Sequence, residues 1–195
     1  MKRIFKQKNK KNSGFTLVET LVAISIFTIS VLTMLIVLSQ GISSTIYAKK
    51  KATAGYLAQE GIEYIRNMRD TYVLYDSLSA QAGWDDFTVR VTTACDQANG
   101  CYVNGDNLFQ QDPPQQMTKV DLSTCSFACP NLLYDESTGK FGYTSGTNSG
   151  YVRQITAAPV SGSLDEMTIT STVYWAQGSG QYKITFSENL FNWVE

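Results

Sequence analysis

The 195-residue chain contains no histidine. That absence removes the commonest general base and the commonest transition-metal ligand at neutral pH. No constellation of Ser, Cys or carboxylate side chains replaces it, so the sequence points away from an enzyme and calls for no catalytic residue, metal or cofactor. Proline is scarce, with 4 in all and none before Pro113, which leaves Gly41 as the only evident weak point for a kink in the apolar N-terminal helix. Acidic residues are missing from the first fourteen positions, which carry Lys2, Arg3, Lys6, Lys8, Lys10 and Lys11. Without that segment the net charge falls from -1 to -7, with 10 basic against 17 acidic residues. Beyond Lys49 to Lys51 no basic cluster remains, so nucleic acid is not an expected partner.

What is present begins with a long apolar run. From Phe15 to Leu38 the sole charge is Glu19, and the polar remainder is Ser and Thr, which a helix satisfies against its own carbonyls. At about 1.5 Å per residue the run spans roughly 36 Å, enough to cross a hydrocarbon core of about 30 Å. The basic leader outweighs Lys49 to Lys51, so the N-terminus is expected inside the cytoplasmic membrane and the bulk of the chain outside it. A secretory signal has a shorter apolar core, of about 7 to 15 residues. Ser39-Gln40-Gly41 only loosely fits its cleavage pattern.

Glu19 is the anomaly. A carboxylate at mid-membrane costs about 2.5 to 3.5 kcal/mol on insertion scales, less near the interface, and no basic side chain lies within the run to offset it. A cut before Phe15 would create an α-amino cation about one helical turn away, available also to the Glu19 of a neighbouring chain. At about 4 Å and an effective dielectric near 20 such a pair is worth about 4 kcal/mol, comparable with the insertion cost.

Gly14-Phe15-Thr16-Leu17-Val18-Glu19, behind a short basic leader and ahead of an apolar helix, resembles the processing site of type IV prepilins and of type II secretion pseudopilins. The resemblance implies that a prepilin peptidase cuts between Gly14 and Phe15 and methylates the Phe15 amine. It further implies that Glu19 registers one subunit against the next, the partners being other pilin or pseudopilin subunits. The fold it implies is α+β and pilin-like: a long N-terminal helix, transmembrane in its first half and packed in its second, with a C-terminal antiparallel sheet. Less specifically, residues 57–70 and 168–193 resemble a minor pilin or pseudopilin more than an abundant shaft subunit. An anchored adhesin or DNA-uptake module is the alternative.

The expected organisation is a leader over 1–14, a transmembrane helix over 15–40, an amphipathic continuation over 41–70 and an extracytoplasmic head over 71–195. In the continuation, Ala54, Leu57, Ala58, Gly61, Ile62, Ile65 and Met68 form one apolar stripe. The helix is expected to end near Asp70. Alternation predicts strands over Phe87–Thr93, over Tyr151–Thr156, through Met167, Ile169, Val173 and Trp175, and through Tyr182, Ile184 and Phe186, with a hairpin at Gln177–Gly180. That makes a sheet of three to five strands, onto which Leu190 to Trp193 is apolar enough to dock.

Residues 95–150 lack periodicity, and a loop that long needs a staple. Cys95, Cys101, Cys125 and Cys129 can supply it as disulfides in an oxidising compartment. Four cysteines allow three pairings, of which Cys95 with Cys101 and Cys125 with Cys129 each close a short loop. Four buried thiols or a zinc site are the alternatives, the latter weakened by the wide Cys95/Cys101 spacing. Tyr134 to Tyr143 reads as a hairpin rather than a calcium loop. Asp85-Asp86 reads as a solvated pair preceding a strand.

Overall fold

The computed structural model describes residues 14–75, 79–96, 98–103 and 122–193. The basic leader and Pro113-Pro114 lie outside the described residues. The chain divides into two units between Ile46 and Tyr47.

Helix α1 runs Leu17–Tyr75. In the first unit every described residue is exposed. In the second, the predicted stripe from Ala54 to Met68 is buried in full. The helix continues past Asp70 through Thr71, Tyr72 and Val73, where propensity favours a strand, because Val73 is buried in the core that Trp84 and Phe87 also enter.

Phe87–Thr93 is not a strand. It lies within a second helix, α2 (Ala80–Ala94), capped by Ser79, whose hydroxyl accepts from the Ala82 N–H at 3.1 Å. Phe87, Val89 and Val91 alternate, but Trp84, Phe87 and Val91 recur at helical spacing. The structure buries those three and leaves Val89 66% exposed. Thr88, Thr92 and Thr93 return their hydroxyls to the carbonyls of Asp85, Thr88 and Val89. Asp85 and Asp86 therefore sit on the exposed face of a helix, not ahead of a strand. Gly83 lets α2 meet α1 backbone to backbone: a Cβ there would lie 2.2 Å from the Tyr72 carbonyl oxygen.

The described residues form one seven-stranded antiparallel sheet, larger than the three to five strands expected. Its strands are β1 (Cys101–Val103), β2 (Leu122–Thr124), β3 (Asn131–Asp135), β4 (Lys140–Gly142), β5 (Thr147–Pro159), β6 (Glu166–Gln177) and β7 (Gly180–Phe191). The four short ones fall in the region that lacked periodicity, since three to five residues are too few to show a pattern. Strand β5 is the hub. Strand β6 takes one edge from Tyr151 to Pro159, and the other edge is divided between β3 and β1. Strands β6 and β7 form the predicted hairpin, Gln177 opposite Gly180, with Gly178 at the positive φ of 58° that so tight a turn requires.

Two apolar clusters join helix to sheet. Ile65 and Met68 pack with Trp84, Phe87, Ile155, Met167 and Ile169, while Ala54 and Leu57 pack with Leu132, Val173 and Trp175. At the chain's end Leu190 is buried, but Phe191 and Trp193 stay half exposed, so the closing segment docks only in part.

Candidate assembly segment

In the described part of the first unit Glu19 is the sole charged residue. Side chains on every side of α1 from Leu17 to Ile46 are apolar and exposed, among them Leu21, Ile24, Phe27, Ile29, Leu32 and Leu35. An 18-residue window reaches a mean hydropathy of 2.7, long and apolar enough to cross a membrane. Thr20, Ser25, Thr28, Ser30 and Thr33 each turn their hydroxyl back to a carbonyl three or four residues earlier, at 2.8–2.9 Å. A helix that is apolar all round requires lipid or protein about it.

The helix starts two residues later than the transmembrane boundary expected at Phe15. Gly14, Phe15 and Thr16 precede it, all exposed, and Thr16 Oγ1 accepts the Glu19 N–H at 3.2 Å. Thr16-x-x-Glu19 is therefore a capping-box pattern, with the acid in the first turn where the helix dipole favours negative charge. The spacing was readable in the sequence as a cap and passed unread there. No ion pair among the described residues includes Glu19.

Within the second unit the cysteines are joined as Cys95–Cys101 and Cys125–Cys129. The first bond ties the C-terminus of α2 to β1. The second closes a loop with Phe127 at its exposed tip. No thiolate is left for zinc. Tyr134 and Phe141 pair across the β3–β4 hairpin, and Ser137 donates both its N–H and its hydroxyl to Asp135. Those bonds hold the Asp135 carboxyl below its usual range.

One functional-looking group went unnoticed in the sequence. Arg153 occupies a core-facing position of β5 and is 2% exposed. It donates to the Leu57 carbonyl at 3.2 Å and to Glu60 Oε2 at 2.6 Å, and its guanidinium carbon lies 5.2 Å from the centre of the Tyr64 ring. Burial alone would lower its pKa, but Tyr143 and Glu60 outweigh that and hold it above its ordinary value. Beneath it Gly61 leaves no room, since a Cβ would lie 2.6 Å from Ser171 Oγ and 3.0 Å from Arg153 Cδ. The alternation Tyr151, Arg153, Ile155, Ala157 was the available signal: a cation on the inward face of a strand needs an acid on the element it meets.

Residues 9–35 match the prokaryotic N-terminal methylation motif, the signature of type IV prepilins. No curated protein and no solved structure matches the chain.

Proposed function

We propose that the chain is a structural subunit, a minor pilin or pseudopilin, of a type IV pilus or type II secretion-like filament. In this reading a prepilin peptidase cuts between Gly14 and Phe15 and methylates the new amine. The apolar segment anchors the chain in the cytoplasmic membrane with its head outside. Extraction then exchanges lipid for the apolar segments of other subunits.

The observation that carries the reading is the conjunction of the matched signature with an N-terminal α1 segment exposed on every side. Such a surface is stable in lipid and equally so inside a bundle of its own kind. Glu19 is then useful twice. In the single chain it lies in the first, capped turn of the helix, and in the filament it meets the Phe15 amine of a neighbour. No basic side chain lies within the apolar run, so a neighbour's amine is the partner that assembly adds for Glu19.

N-terminal and intact-mass analysis of protein made alongside a prepilin peptidase is expected to find N-methylated Phe15 and the loss of fourteen residues. An intact leader would instead make the apolar segment a plain membrane anchor. Glu19→Ala is expected to insert and be cut normally yet enter filaments poorly. Its normal incorporation would refute the ion pair.

A further inference from the structure

The charges of the second unit are sorted along its length. Lys49, Lys51 and Lys183 are exposed, and Lys50 donates its Nζ to the Ala176 carbonyl at 2.9 Å, tying the start of this unit's helix to the β6–β7 hairpin. No acid lies between Thr20 and Gln59 or between Met167 and Ser187. At the same end of the sheet, two strands away, Asp135 and Glu136 flank the β3–β4 turn with Lys140, so among the described residues five lysines stand there against two acids. At the far end of the unit stand Asp70, Asp85, Asp86, Asp165 and Glu166, of which Asp70 is paired with Arg69 at 2.6 Å. This polarity opposes the acidic average of the chain, in which 10 basic residues face 17 acidic ones once the leader is set aside.

Tyrosines accompany the lysines. Tyr47 meets Tyr182 edge-on at 5.1 Å, and Tyr182 stacks on Trp175 at 5.8 Å. Tyr182 is 38% exposed on one face of the hairpin, while Tyr174 and Lys183, paired across the strands, lie on the other. Lysine with amphipathic aromatics is the composition of a membrane-water interface.

The level is also right. Leu17 to Ile46 is about 45 Å of helix, close to the roughly 40–45 Å of a bilayer with its headgroups, so Tyr47 to Lys51 begins where lipid phosphates lie.

We propose that Lys49, Lys51, Lys183, Tyr174 and Tyr182 form a docking surface for the anionic headgroups of the outer leaflet, which holds the head against the membrane. The proposal rests on the membrane-anchored reading of α1 but not on filament assembly. Attraction of this kind is worth about fivefold in the docked-to-free ratio for each lysine and weakens with salt.

The test uses the full chain in vesicles of phosphatidylcholine, or of an equimolar mixture with phosphatidylglycerol, carrying a quencher on the lipid headgroup. All four native cysteines are disulfide-bonded, so Ser179→Cys at the hairpin tip gives a single site for a fluorophore. Flotation that resists alkali reports the anchor separately from the docking. Quenching is expected to be stronger in anionic vesicles, to fall about fivefold in docked-to-free ratio for each of Lys49→Gln, Lys51→Gln and Lys183→Gln, and to be kept by the arginine variants. Equal quenching in both vesicles would overturn the proposal. So would lysine-dependent self-association in neutral detergent without any dependence on lipid charge, which would assign the patch to a second copy of the chain.

Discussion

Leu32 and Ile65 belong to one helix, are both large aliphatics and differ in exposure by 59% against 0%. The helical backbone is alike at the two positions, so the difference lies in what surrounds it. In the first unit the apolar residues occupy every side of the helix and every described one is exposed. In the second they keep to one stripe, and the sheet covers that stripe. A helix of this kind is two materials in sequence, one satisfied within the subunit and one only outside it.

That contrast can be broken most severely at the packed stripe. Ile65→Ala is expected to destabilise the head by about 2–5 kcal/mol, as cavity formation in a close-packed core does, whereas Leu32→Ala should stay within about 0.5 kcal/mol. Denaturant unfolding of the detergent-solubilised chain, followed through tryptophan fluorescence, measures both. Equal losses would mean that the two units are not energetically separate.

The glycines sharpen the same point with opposite signs. Gly61→Ala should cost about 1–3 kcal/mol, because its methyl group would overlap Ser171 and Arg153. Nothing lies within 4 Å of a Cβ at Gly41, so Gly41→Ala should instead raise helix stability by about 0.5–1 kcal/mol. Thermal melts by circular dichroism would test the pair, and a loss at both positions would contradict it. The most local effect belongs to the helix start. Thr16→Ala removes the cap and should cost about 1 kcal/mol, seen as roughly fivefold faster hydrogen exchange at the Glu19 amide.

Long, strongly periodic segments were legible in the sequence. The apolar run, the stripe from Ala54 to Met68 and the β6–β7 hairpin each repeat over enough residues to show their period. Residues 87–93 were misread because a seven-residue window of β-branched residues supports both periods, and Trp84, which decides between them, lies outside that window. Strands β1 to β4 are too short to carry a pattern at all. Within the matched motif Glu19 stood out as a local chemical contradiction, while the role of Thr16 as a cap needed the start of the helix to be located.

Local order therefore determined that an apolar run gives way to a one-sided stripe along one helix, because that depends only on which residues follow which. Tertiary structure alone decided that Arg153 is neutralised by Glu60 and that Lys183 joins Lys49 and Lys51 at one end of the head. Each of those juxtaposes residues more than ten positions apart in sequence, where the free energy comes from burial and charge pairing across elements and leaves no period to read.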